Sequence, residues 1–384
     1  MTTILSNKHA TTSRIVPKNR TIATAFLALF AVGMGCDSTV PKNLESALVS
    51  LPSYPARVES LSLQQKIEFA LRANLEKRLL SAESNGTWQV IHGAVAYGDQ
   101  LPLEVDGKVV NAIDYLLSDG VLLGWELSVG PILPATSKPG ILARVEAGSY
   151  IGQGHTDQWL GYFSQIPLSL DRAVQVNGQP LTIRDWARQA QWDVPTNPFQ
   201  EYSWTLIALT NFFPEEQEWK ANDGNTWTLE PFVRWEANQD LTASPCGGMH
   251  RLMGLAHAIQ FRKRHNGPFD GGWLLAKNVV ASAVESAKRF QNSDGSFSTK
   301  YTERPGVSKD MSASISATGH TLEFLAYALE ERELAKPWME RAVERLCDML
   351  KATEKIELEC GGAYHALAGL NLYYRRRFQK STTD

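Results

Sequence analysis

The sequence predicts an all-α fold, an α/α toroid of six helical hairpins with small β-hairpin insertions in its N-terminal half, built by residues 61–380 as one domain. Three observations predict it. A motif recurs: S-P-C-G-G-M-H-R-L-M-G-L-A-H-A-I-Q-F at 244–261, T-G-H-T-L-E-F-L-A-Y-A-L at 318–329 and E-C-G-G-A-Y-H-A-L-A-G-L-N-L-Y-Y at 359–374. Each reads as a glycine-bearing turn whose histidine opens an apolar helix. Segments that are apolar nearly all round also alternate with amphipathic ones, at a period of about 40–70 residues. Finally, the amphipathic segment 63–80 can serve as outer partner to the sixth apolar helix, which closes the ring.

The elements follow in order. Residues 63–80 carry Leu63, Ile67, Leu71 and Leu75 four apart, the stripe of an outer helix. Asn85-Gly86 ends it, and W-Q-V-I-H-G-A-V-A-Y at 88–97 is apolar on all sides, as a buried inner helix should be. Asp106-Gly107 and Asn177-Gly178, each between β-prone residues, signal two-residue hairpins followed by helices. Residues 120–150 contain Pro131, Pro134 and Pro139 and read as loops with short extended pieces, such as 141–146. The second inner helix opens at Gly154-His155; the third covers 202–213, with Ser203 in place of histidine, and Asp223-Gly224 turns into an outer element at 227–236. The fourth follows Cys246, then Asn266-Gly267 and an outer helix at 274–290. The fifth begins at His320, with an outer helix at 337–349 whose first turn accommodates Pro337, and the sixth begins at His365.

The chain has 384 residues, 43% of them hydrophobic and 21% charged, with a formal net charge of −3. That is enough for a large core and too little positive charge for a nucleic-acid partner. Lys18 and Arg20 precede an apolar run at 22–32 that ends Gly33-Met34-Gly35-Cys36, so residues 1–36 read as a secretory signal. The run resembles a bacterial lipoprotein signal. That resemblance implies a lipid on Cys36, anchorage to a membrane and an extracytoplasmic location, with 37–60, holding Pro41, Pro52 and Pro55, as a tether.

Q-N-S-D-G-S-F at 291–297 is similar to the Q-x-x-D-G-S-W/F repeat of squalene-type terpene cyclases and protein prenyltransferase β subunits, and Asn85-Gly86-Thr87-Trp88 is a degenerate second copy. The resemblance implies the toroidal fold. It implies no activity, because the D-x-D-D acid motif and the D-x-C…H zinc pattern of those families are missing. The chain also resembles secreted toroid proteins of bacteria.

Five of the eight histidines, His92, His155, His250, His320 and His365, fall at starts of proposed inner helices. If those helices run the same way, the imidazoles share one end of a central cavity with Cys246, Cys360 and Ser203, where helix N-termini favour an anion or a developing oxyanion. Any one such histidine can equally satisfy a carbonyl on a polar rim. Thiolate and imidazole suit zinc, so Cys246, His250, His320, Cys360 and His365 are candidate ligands, and toroids similar to lanthipeptide cyclases hold zinc near that pole with cysteines and a histidine. A Cys246–Cys360 disulfide or two buried thiols are the alternatives, and Cys347 reads as a buried hydrophobe. For acid–base chemistry the candidates are His155 and Asp157, with Glu201, Glu323 and Glu359 nearby and Tyr202 or Tyr364 as proton donors. Trp159, Tyr162, Tyr202, Trp204 and Tyr364 are candidate substrate-binding aromatics, although aromatics at helical spacing more often pack the core. The function expected is a hydrolase or lyase on a carbohydrate-like substrate. The alternatives are a non-catalytic envelope binding protein and a zinc enzyme.

Overall fold

The computed structural model describes residues 61–197 and 201–379; the expected signal, Cys36 and the tether lie outside them. In chain order the elements are α1 (Leu63–Lys77), β1 (Leu80–Ser81), α2 (Thr87–Tyr97), β2 (Pro102–Val105), β3 (Lys108–Asn111), α3 (Ala112–Leu117), β4 (Leu127–Leu133), β5 (Lys138–Ala143), α4 (Gln158–Phe163), β6 (Ala173–Val176), β7 (Gln179–Thr182), α5 (Ile183–Asp193), α6 (Ser203–Phe212), β8 (Glu218–Lys220), β9 (Thr226–Thr228), α7 (Glu230–Ala237), α8 (Met249–Arg264), α9 (Gly271–Arg289), α10 (Met311–Ala328), α11 (Glu331–Leu334), α12 (Pro337–Ala352) and α13 (Cys360–Phe378).

The all-α expectation is overturned. About 53% of the described residues are helical and 13% are strand, so the fold is mixed α/β with helices dominant. Among the described residues the strands form one three-stranded and three two-stranded sheets. β1 pairs in parallel with β2, so a strand follows the first helix where only a turn was expected. β4 and β5 pair antiparallel across 127–143, with a register shift between Val129 and Ile132. This is the stretch read as loops: its glycines and prolines mask a bulged hairpin, a place where strands tolerate both. The Asp106-Gly107 and Asn177-Gly178 turns do join hairpins, β2–β3 and β6–β7, with positive φ at both turn residues. Asn266-Gly267 instead follows the end of α8.

Helices α2, α4, α6, α8, α10 and α13 each pack on the next, and α13 returns to α2. They are apolar on every side because neighbours cover every side. In α6 all residues but Asn211 are buried, and Thr210 meets the apolar surroundings by donating its hydroxyl to Leu206 O at 2.7 Å. Each fully buried Leu, Ile or Phe there contributes about 1.5–3 kcal/mol relative to exposure. Outside this layer α12 is strongly amphipathic, burying Met339, Ala342, Val343 and Leu346, and α1 packs on α12 and α13. A Ser62–Gln65 capping box starts α1.

α10 and α13 approach closely because of glycine. A Cβ added to Gly319 would lie 2.5 Å from Ala366 Cα, closer than any real side chain tolerates. This contact brings His320, one residue after Gly319, beside His365, one residue before Ala366.

Candidate functional site

Four of the five predicted histidines converge. Ring centroids lie 4.0 Å apart for His320 and His365, 5.0 Å for His250 and His365, 5.2 Å for His92 and His365, and 5.4 Å for His250 and His320. His92, His320 and His365 are buried and His250 is half-buried. They do not sit at helix starts as expected. Only His250, the second residue of α8, is in a first turn; His320 is ten residues into α10. The helix-terminus argument for anion binding therefore does not apply to the cluster.

Their orientation is set by what Nδ1 touches. His92 Nδ1 donates to Trp88 O at 2.5 Å and His320 Nδ1 to Ser316 O at 2.8 Å, each four residues back on its own helix. His365 Nδ1 lies 2.6 Å from Glu323 Oε2. The Nε2 atoms consequently face inward: His250 Nε2 is 3.3 Å from His365 Nε2, and the Tyr162 hydroxyl lies 3.1 Å from His92 Nε2 and 3.4 Å from His365 Nε2. Burial, then the charge of neighbouring imidazoles, holds His92, His250 and His365 well below the ordinary histidine range. Burial lowers His320 as well, against its bond to Ser316. Burial pushes the Glu323 carboxyl up to about 8, so burial disfavours charge on both members of the Glu323–His365 pair.

His155 stands apart, half-buried before α4, with Nδ1 2.6 Å from Glu201 Oε2. Its expected partner Asp157 instead accepts from Thr205 Oγ1 at 2.6 Å. Asp157 has φ 57°, in the left-handed region, where non-glycine residues are uncommon. Burial, with a contribution from Asp193, raises its carboxyl to about 6. Asp157 and Asp193 line a cavity of about 270 Å³ that also includes Trp186 and Thr205.

The predicted aromatics divide differently. Trp159, Tyr162 and Trp204 are fully buried: Trp159 packs on Trp125 at 4.6 Å, and Trp204 on Tyr162 at 4.5 Å. None presents a face to a sugar. Tyr202 packs on Phe232 at 4.7 Å, and the Tyr364 hydroxyl donates to Arg78 O at 3.3 Å, away from the histidines. Cys246, Cys347 and Cys360 are all free thiols, and the Cys360 thiol points to Gln89 O. Cys246 alone joins the histidines: with His250 and His320 it forms a group whose donor atoms lie within 4.8 Å of one another. Glu359 caps α13 through Gly361 N at 2.8 Å and Gly362 N at 2.6 Å.

Residues the sequence did not single out complete the surroundings. The Trp88 ring lies 4.0 Å from that of His92, and exposed Tyr150 meets Trp88 edge-on at 5.1 Å. Glu236 of α7 accepts from Tyr202 N at 2.6 Å, Ser203 Oγ at 3.2 Å and Arg251 Nη1 at 2.5 Å, tying the start of α6 to α8. A buried carboxylate on an outer helix has no sequence signature. A larger cavity, about 550 Å³, is lined by His257, Glu323, Tyr327, Ala368 and Arg375.

Fold and site together define a helix-dominated α/β protein with a buried histidine centre. No family model, curated protein or solved structure compared with this chain matches it. The 291–297 motif is a structural turn here: Gln291 Nε2 donates to Gly295 O and Trp338 O, and Asp294 pairs with Arg345.

Proposed function

We propose that this chain is a hydrolase or lyase acting on a carbohydrate-like substrate, with the half-buried His155–Glu201 pair as its base. The observation that carries the reading is the His155–Glu201 pair at 2.6 Å. A carboxylate on Nδ1 fixes the tautomer and leaves Nε2 as the atom able to take a proton, the arrangement used by histidine bases. The His155 side chain is 23% exposed, so a substrate can reach the ring. Tyr150, 73% exposed against Trp88, supports a sugar-like ligand, because partly exposed aromatic faces stack on sugar rings. The same proposal places the protein outside the cytoplasm, supported by the apolar run at 22–32 that ends at Cys36.

The test is turnover on a panel of neutral and uronic-acid oligosaccharides, comparing the protein with His155→Gln. Removing a positioned general base lowers kcat by about 10²–10⁴-fold. A folded variant with unchanged kcat on a substrate that the unmodified protein turns over contradicts the assignment.

A further inference from the structure

We propose that His250, His320 and His365, with Cys246 on the outer side, bind one zinc-class divalent cation through Nε2 and Sγ. This site goes beyond the proposed function, whose base is the separate His155–Glu201 pair.

Distance is the first argument. Two nitrogens bound to a tetrahedral ion at about 2.0–2.1 Å lie about 3.3–3.4 Å apart. His250 Nε2 and His365 Nε2 are 3.3 Å apart, longer than an ordinary N–H···N hydrogen bond. Without an ion, one shared proton must fill that gap. The cation takes the proton's place: that proton moves to Nδ1 of the same neutral imidazole, and the Cys246 thiol proton leaves to solvent. Cys246 and His320, whose donor atoms lie within 4.8 Å of each other and of one on His250, supply the remaining donors.

The surroundings are built for ligation. Histidine ligands to metals are oriented by an acceptor on the second ring nitrogen, commonly a carboxylate or a backbone carbonyl. His365 has Glu323 and His320 has Ser316 O in that role. His92, held the same way on Trp88 O, has the Tyr162 hydroxyl 3.1 Å from its Nε2, closer than the 3.4 Å from that hydroxyl to His365 Nε2, and stands beside the ion without joining it. Cys246 is presented by three consecutive left-handed residues, with φ 52° at Cys246, 61° at Gly247 and 72° at Gly248. A cysteine held in that conformation is strained, and such strain gathers where a side chain must be aimed. The donor set decides the ion: imidazole and thiolate select zinc, cobalt or nickel, whereas calcium and magnesium require oxygen ligands.

The experiment is elemental analysis of the full protein purified without chelator, followed by zinc and cobalt(II) titration of the stripped protein. His250→Gln and Cys246→Ser, both at half-buried positions, serve as variants. The inference expects about one zinc per chain and a thiolate-to-cobalt charge-transfer absorption that Cys246→Ser abolishes. His250→Gln is expected to weaken zinc binding by about 10–100-fold. A folded, stripped protein that binds neither zinc nor cobalt overturns it, and so does zinc binding that both substitutions leave unchanged. The outcome is separable from the proposed function. Turnover by a protein that binds no zinc sinks the metal assignment alone, and a loaded protein inactive on every oligosaccharide supports the metal while removing the sugar reading.

Discussion

His365 Nδ1 lies 2.6 Å from Glu323 Oε2, and both side chains are only 2% exposed. One helix, α10, thus supplies His320 to the centre and, three residues on, the carboxyl that aims the histidine of its neighbour α13. Burial disfavours charge on either partner, so the pair behaves as a hydrogen bond in a low-dielectric interior, where an unpaired partner is costly.

Glu323→Leu should therefore lower stability by about 1–3 kcal/mol more than Glu323→Gln, which keeps a polar group on His365. Urea unfolding of both variants measures the difference. Equal losses would show that the pair does not hold the imidazole.

Glu236 anchors the frame of the site through Tyr202 N, Ser203 Oγ and Arg251. Its side chain is fully buried and that of Arg251 is 17% exposed, so Glu236→Gln leaves a nearly buried cation without its counter-charge. The expected cost is about 3 kcal/mol, read from the shift of the denaturation midpoint. A change below about 0.5 kcal/mol contradicts this role.

His257 has both ring nitrogens buried without a hydrogen-bond partner and stacks on Tyr327 at 3.6 Å. Burial, aided by Arg264, depresses it to about 3. A depressed histidine contributes stability that is present above the unfolded value near 6.5 and is lost as pH falls towards 3. Between pH 7 and 5 the unmodified protein should lose about 2 kcal/mol more than His257→Phe, at 1.36 kcal/mol per pH unit below 6.5. Parallel stability curves for the two proteins would refute it.

Asp157 carries the opposite sign. Its folded value, about 6, lies above the unfolded one, so its stabilising share is complete below about pH 4 and is lost as pH rises through 6. Asparagine tolerates the left-handed backbone and can still accept from Thr205. Asp157→Asn should be more stable than the unmodified protein by about 1–2 kcal/mol at pH 8, after allowing for partial exposure, with no advantage at pH 4. A variant less stable at pH 8 is the contrary result.

Much of the helical layout was legible because it rests on periodicity. Leu63, Ile67 and Leu71 mark α1, and Pro337 marks the first turn of α12, where the structure places it. Four of the five histidines singled out in the sequence converge and His155 does not, and the reason for the convergence was not legible. Gly319 was read as a turn before a helix, whereas Asp310 caps α10 nine residues earlier by accepting from Ser312 N at 2.9 Å. The glycine serves the close approach of two helices, a tertiary requirement that a single chain segment does not display. Trp159 and Trp204 were ambiguous for a related reason: apolar on all sides describes both a cavity wall and a filled core. The β4–β5 hairpin escaped because its alternation is broken by a bulge and by Pro131 and Pro139.

The most direct test of the histidine centre is a crystal of zinc-soaked protein with diffraction data collected on both sides of the zinc absorption edge. The account predicts one anomalous peak within about 2.0–2.3 Å of His250 Nε2, His320 Nε2, His365 Nε2 and Cys246 Sγ. Density with no peak among those residues, or a peak elsewhere with the histidines unmoved, would contradict it.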